Sequence, residues 1–279
     1  YKDIGSIDVN PANGELYLKE MNRQQIHVYS LDGKFKHSFT FPEGKRMSRM
    51  CLFSPDYLIA EQESKVPDDQ DANFYPYLLV STRDGHLDSL DYVQKRNILV
   101  KLIVNAENHS YAYLLEPSLI RNGSRFYIGN PDSDTLFAMN PDRTLEPLLV
   151  RTPSHSEEGN KYGLFLRGAA GAYFFLTKQP MEVPMNSIES LDLKSEEWLY
   201  DCRTQEVCRY LLKNKDDASK RVEGIMFFCY PEDCGLAVLK SEDLMDAYEA
   251  GQLSGELKEI AAGLKADDNP VLMLIHFKK

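Results

Sequence analysis

From Ile4 to Phe41, apolar and polar side chains alternate with a period of two in four short runs: Ile4 to Val9, Glu15 to Glu20, Gln25 to Ser30 and Phe35 to Phe41. The separators Asn-Pro-Ala-Asn-Gly, Met-Asn-Arg and Leu-Asp-Gly-Lys each carry the Asn, Asp or Gly that a tight reversal needs, so the pattern predicts a four-stranded antiparallel meander. Leu16 and Leu18 point to one side and Tyr17 to the other, as Ile26 and Val28 do against His27 and Tyr29. One face of the sheet is therefore expected to be apolar and the other mixed.

The same grammar returns with insertions. A second set runs Met50–Phe53, Tyr57–Gln62, Tyr75–Ser81 and Leu87–Tyr92, interrupted by an acidic loop at Asp68, Asp69 and Asp71. A third runs Ser118–Arg121, Arg125–Gly129, Thr135–Asn140 and Leu145–Arg151, and a fourth Phe165–Gly168, Tyr173–Lys178, Glu197–Cys202 and Val207–Lys213. Val222–Cys229 and Gly235–Lys240 begin a fifth. Meander units of about 40 to 50 residues predict an all-β β-propeller, in which each blade covers its neighbour's apolar face. The expected blades are 1–46, 47–111, 112–159, 160–218 and 219–279 of a single domain. A helical insertion, 241–264, breaks the last of them. Ser241 is placed to cap Glu242–Ala250, Gly251 to close it, and Ser254 to cap a second helix with Leu257, Ile260, Ala261 and Leu264 at helical spacing. Val271–Phe277 then resumes as a nearly continuous apolar strand.

Composition narrows the function classes. The 279 residues carry 32 basic and 43 acidic side chains, a net charge of −11, which argues against tracking a phosphate backbone or an anionic membrane surface. No apolar run reaches about 18 residues, the length that a transmembrane helix needs. The chain opens on Tyr1 with neither a basic leader nor an apolar signal core, so it reads as a mature or trimmed form. The five cysteines include two local pairs, Cys202 with Cys208 and Cys229 with Cys234, each bracketing a turn-like stretch, while Cys51 stands apart. Disulfides across hairpins and small buried thiols are both open readings, and a four-cysteine zinc site is disfavoured by the wide spacing.

Asp-Ile-Gly-Ser-Ile-Asp-Val-Asn-Pro-Ala-Asn-Gly-Glu-Leu-Tyr-Leu at the start and the later Val-Tyr-Ser-Leu-Asp-Gly-Lys-Phe resemble the six-bladed, NHL-like β-propeller proteins of gut Bacteroidetes. The closing Leu-Lys-Glu-Ile-Ala-Ala-Gly-Leu-Lys-Ala-Asp-Asp-Asn-Pro-Val-Leu-Met-Leu-Ile is similar to that family's C-terminus, and Asp132-Ser133-Asp134-Thr135-Leu136-Phe137 to its mid-chain hairpin. The resemblance implies the periplasm or the outer-membrane surface, with secretion or a lipid anchor through an absent N-terminus. It implies no reaction. Five blades are legible against the family's six, so a blade upstream of residue 1 is expected to be missing and the last blade to lack its closing strand.

No chemistry emerges from spacing. His27, His37, His86, His109, His155 and His276 are scattered, without a metal-binding helical pair, and there is neither a nucleophile elbow nor a Gly-rich phosphate cradle. Asn130, Asp132 and Asp134 alternate like the start of a calcium loop, but the bend glycine and distal Glu are absent and Pro141 stands at position twelve, so turn chemistry is the reading. No cofactor, metal or catalytic residue is assigned. If the first strand of each blade is innermost, Arg49, Arg121, Arg167 and Glu223 line a channel, where three guanidinium forks suit a carboxylate or another anion. The competing reading pairs each Arg with a nearby acid or points it to solvent at a strand end. Trp198 and Tyr200, two residues apart on one face, offer an aromatic platform for a sugar or peptide, against an ordinary core role. The resulting expectation is a non-catalytic binding module of the cell envelope with a protein, peptide or glycan partner. The alternatives are a hydrolase or lyase assembled at the channel mouth and a structural subunit of an envelope complex.

Overall fold

A computed structural model describes residues 4–20, 23–42, 45–62, 75–90, 99–105, 110–115, 119–129, 133–154, 162–180, 182–184, 195–222, 224–227 and 233–278. The chain divides into two compact units, Tyr1–Leu119 and Ile120–Lys279. Both are built from antiparallel meanders, and the fold is an all-β propeller with two short helices near the C-terminus.

In the first unit β1 (Ile4–Asn10), β2 (Glu15–Glu20), β3 (Gln25–Ser30) and β4 (Phe35–Thr40) form one sheet in sequence order. A second sheet follows from β5 (Met47–Ser54), β6 (Tyr57–Gln62), β7 (Tyr77–Ser81) and β8 (Leu87–Ser89). β9 (Leu99–Asn105) and β10 (Ser110–Leu115) pair as a hairpin absent from the sequence expectation.

The apolar face of the first sheet differs from the expected one. Register pairs Tyr17 with Val28 and Lys19 with Ile26, so it is Tyr17, not Leu16 or Leu18, that joins Ile26 and Val28 on the buried side. Leu18 pairs with His27 and Leu16 with Tyr29 on the other side. Alternation within one strand sets which residues share a face, but only the pairing decides which face turns to the core. Tyr17, Ile26, Val28 and Phe39 pack against Met50, Leu52, Leu58, Ala60, Leu78 and Val80 of the second sheet. Ile59, Tyr77 and Leu79 are buried on that sheet's far side, making β6 and β7 strands covered on both faces. Polar pins cross between the two sheets: Leu52 N–H donates to the Asp8 carboxylate at 2.6 Å, and Asn10 Nδ2 donates to the Pro55 carbonyl at 2.9 Å.

In the second unit β11 (Leu119–Asn122), β12 (Arg125–Ile128), β13 (Thr135–Met139) and β14 (Leu145–Val150) form a sheet that begins at the unit boundary. β15 (Tyr162–Ala170), β16 (Tyr173–Pro180), β18 (Glu196–Asp201) and β19 (Glu206–Arg209) form the next, with the short β17 (Glu182–Pro184) between β16 and β18 in sequence. One face of this sheet, with Leu166, Ala169, Phe174, Leu176 and Tyr200, packs on Tyr127 and Leu136 of the sheet before it. A hairpin of β20 (Lys213–Asn214) and β21 (Asp217–Arg221) precedes a three-stranded sheet of β22 (Met226–Phe227), β23 (Cys234–Leu239) and β24 (Val271–His276). Among the described residues β24 forms an edge of that sheet, with Leu272 64% and Leu274 50% exposed.

Helices α1 (Ser241–Glu249) and α2 (Gly255–Ala261) lie between β23 and β24 in sequence. Leu244, Ala247, Leu253, Leu257 and Ala261 form their shared core with Leu239 and Val271 of the sheet. Gly251 ends α1 with φ +69°, the left-handed turn that a Cβ disfavours. Ser241 does not cap the helix as expected. It is the first helical residue, after Lys240, and its hydroxyl donates to the carbonyls of Asp268 and Asn269 at 3.0 and 2.9 Å, tying α1 to the turn before β24.

The β18–β19 hairpin settles the geometry of one cysteine pair. Asp201 pairs with Glu206, which leaves Cys202 inside the turn, and Cys208 faces Leu199. The two are therefore not cross-strand partners, and both are free thiols. Arg203 closes the turn instead, donating from Nε and Nη2 to the two Asp201 carboxylate oxygens at 3.0 and 2.8 Å and from Nη2 to the Tyr173 hydroxyl. These bonds hold the Asp201 carboxyl at about 2, below its ordinary 3.8. A depressed carboxylate stabilises the fold above its unfolded value, so this turn's contribution is expected to be whole above about pH 4 and lost as pH falls through about 2. Carboxyl NMR titration should give an Asp201 midpoint near 2, and Asp201→Asn should remove the acid-linked loss.

Candidate functional site

The first strand of each blade lies at a sheet edge, and two of the candidate arginines sit there in β-bulges. In β5, Met47 pairs with Gln62 and Met50 with Ala60, so Ser48 and Arg49 together oppose Glu61 and the Arg49 side chain is exposed. In β15, Leu166 pairs with Leu176 and Gly168 with Phe175, which leaves Arg167 as the extra residue. A bulge breaks the strict two-residue alternation and re-aims the side chain.

Arg167 is turned onto its own blade. Its Nε donates to Thr177 Oγ1 at 3.2 Å and its Nη2 to Gln179 Oε1 at 3.1 Å, with the guanidinium 5.2 Å from the Phe165 ring centroid. The Thr177 hydroxyl donates to the Glu197 carboxylate at 3.1 Å, and the Tyr210 hydroxyl donates to the same carboxylate at 3.4 Å. Burial pushes the Tyr210 phenol up, with the Glu197 charge adding to it. Arg121 also folds back: Nε donates to the Gly123 carbonyl at 2.9 Å and the guanidinium lies 5.7 Å from the Phe126 centroid. Arg121 and Arg167 thus have partners in their own hairpins. Glu223 lies outside the described residues.

Tyr200 is buried in the core between two sheets and Trp198 packs at its margin. The Trp198 indole N–H donates to Glu196 at 3.2 Å, and Arg209 stands 5.3 Å from its ring centroid. Both aromatic faces are thereby engaged in packing that the sequence does not display.

A cleft of about 490 Å³ opens beside the helical insertion, lined by Asn214, Asp217, Val238, Lys240, Asp243 and Met273 together with apolar side chains of α1 and α2. It is framed by the β20–β21 hairpin, β23, β24 and α1, the elements that depart from the plain meander. No sequence signal marks it, because its walls come from segments as far apart as Asn214 and Met273, joined through contacts such as Ser254 N–H to the Asp216 carbonyl at 2.8 Å. The cleft has the size range of small-ligand sites and mixes apolar floor with charge of both signs.

One further constellation joins three groups that can ligate a metal: Asp233, Cys234 and His276. Cys234 is a free thiol, and Cys229, its proposed disulfide partner, lies outside the described residues. Among the described residues no helix is long and apolar enough to cross a membrane.

Comparison with known proteins places the fold and not an activity. The structure is similar to that of a protein from Bacteroides fragilis described as exported, with a TM-score of 0.62 at 13% identity, over 99% of this chain and 77% of that one. It is also similar to a member of the duf4221 family from Bacteroides vulgatus, with a TM-score of 0.52 at 7% identity, over 99% and 79% of the two chains. No match was found among curated protein sequences. A family model does match, over residues 1–276, and the chain belongs to that family, described as Domain of unknown function (DUF4934).

Proposed function

We propose that this chain is a non-catalytic binding module of the cell envelope, a propeller that takes a protein segment, peptide or glycan in the cleft beside α1 and α2. The cleft carries this reading. Its walls combine Val238, Leu239, Leu244, Leu257 and Met273 with Asn214, Asp217, Lys240 and Asp243. Apolar area gives such a site affinity, and a few placed polar groups give it orientation and selectivity. Among the described residues the lining holds neither a histidine nor a cysteine, and the polar network around Arg167 ties its own blade together. Placement in the envelope is supported by the resemblance of the chain's two end motifs to secreted propellers and by the Bacteroides fragilis protein described as exported. The six-bladed, NHL-like form belongs to this same proposal.

Peptide and glycan arrays probed with the full chain test the reading. Retention of one ligand class, recovered chemically unchanged after prolonged incubation, is the expected result. Cleavage or elimination of the retained ligand would replace the binding module with an enzyme, and retention of neither class would remove the proposal.

A further inference from the structure

We propose that Asp233, Cys234 and His276 bind one zinc ion that clips β23 to β24. The β23–β24 register pairs Cys234 directly with His276, so both side chains leave the sheet on one face. Cys234 Sγ lies 3.0 Å from His276 Nδ1 and 3.6 Å from Asp233 Oδ1, and the three ligand atoms all lie within 4.8 Å of one another. Around a tetrahedral zinc ion, neighbouring sulfur, nitrogen and oxygen ligands stand about 3.3–3.6 Å apart, so the group is already close to the required spacing. The ladder continues past the pair, with Phe277 N–H donating to the Asp233 carbonyl at 2.8 Å, which holds the backbone of the third ligand in place.

The donor set selects the metal. One thiolate, one imidazole and one carboxylate suit a borderline cation such as zinc and not calcium or magnesium, which take all-oxygen sites. With a thiolate, a carboxylate and a neutral imidazole the complex carries no net charge, which fits a buried sulfur. His276 is exposed, so the group is open on one side, and the three ligands found among the described residues leave a fourth position open.

A nucleophilic cysteine fits the same residues less well. The Cys234 sulfur is buried and sits beside the Asp233 carboxylate, the reverse of the exposed, electropositive surroundings that activate a thiol. A divalent cation inverts that balance. On binding, the Sγ–H bond breaks, the proton passes to the buffer, the sulfur lone pair goes to zinc, and nothing is oxidised or reduced. No spacing motif announces the site, because its ligands come from positions that only the strand register brings together.

Titration of the metal-free full chain with zinc alone, by calorimetry in two buffers of different protonation enthalpy, is expected to show one equivalent bound with release of about one proton. Cobalt in place of zinc should give a sulfur-to-metal charge-transfer band. His276→Ala, at an exposed position, should weaken binding at least about tenfold, as should Asp233→Asn, since loss of even a supporting partner costs that much. Cys234→Ser should abolish the cobalt–sulfur band. If that variant does not fold, His276→Ala in the intact chain decides. Absence of stoichiometric binding, affinity unchanged in His276→Ala, or a cobalt complex without the sulfur band would each overturn the proposal.

Discussion

Phe175→Ala is expected to destabilise the second unit by about 4 kcal/mol, the scale of emptying a large aromatic site in a packed core. Phe175 is buried in β16 at the meeting of two blades. Its ring stacks on Phe227 with centroids 4.4 Å apart, and it meets Phe277 at 5.0 Å and Tyr210 edge-on at 5.3 Å. Those partners come from β22, the segment after β24 and the segment after β19, so one ring links three separated stretches of chain. Truncation removes the transfer energy of the ring and leaves a cavity that three rigid aromatics cannot collapse to fill. Chemical denaturation followed by circular dichroism should show the loss, and Phe175→Leu should recover about half of it. A loss below about 1 kcal/mol would mean that the aromatic cluster is not a packed core.

Gly168→Ala is expected to cost about 3 kcal/mol by the opposite fault, overpacking. Gly168 follows the Arg167 bulge and pairs with Phe175, and its bare Cα is the seat on which the Phe227 ring lies. A Cβ built there would stand 1.9 Å from Phe227 Cδ2 and 2.3 Å from Cγ, far inside contact distance. Phe227 has little room to yield, because Phe175 stacks on it at 4.4 Å and Phe277 lies at 6.2 Å. The clash predicts its own suppressor. In a Phe227→Ala background the added methyl should cost under about 1 kcal/mol, a coupling that a double-mutant cycle measures and that two independent defects would not show.

Much of the propeller was legible because its evidence is local. Turn residues at Asn13-Gly14 and Asp32-Gly33 and two-residue alternation on either side specify a hairpin without reference to the rest of the chain. The expected strands of the first four meanders therefore match β1–β8, β11–β16, β18 and β19 to within a few residues. The errors lie where the register between paired strands decides, which alternation within a single strand does not display. Tyr17 replaced Leu16 and Leu18 on the buried face because register, not alternation, orients a sheet. Cys202 and Cys208 bracket a turn in sequence, yet the hairpin closes at Asp201–Glu206 and separates them. β20 and β21 are too short to leave a periodic signal, and the pairing of Lys213 with Arg221 is visible only in three dimensions.

The candidate sites were harder to read than the fold, for the same reason. Arg167 lies in the first strand of its blade, but neither its bulge nor its bonds to Thr177 and Gln179 have a sequence signature. Ser241 looked like a helix cap because a cap and the first helical residue differ by one position. The carbonyls of Asp268 and Asn269 that claim its hydroxyl lie beyond both helices. The cleft and the Asp233–Cys234–His276 group depend on β24 returning alongside β23, across the whole helical insertion.

The most direct measurement of the central proposal is the affinity of the ligand retained on the arrays for three forms of the full chain: unchanged, Val238→Lys and Asp243→Lys. Both positions line the cleft and are exposed, so substitution there leaves the packed sheets and helix core intact. Binding through the cleft predicts at least a tenfold loss in each variant, the scale of removing a central contact, with the unfolding midpoint unchanged. Affinity that stays within twofold in both variants would contradict the cleft as the binding site.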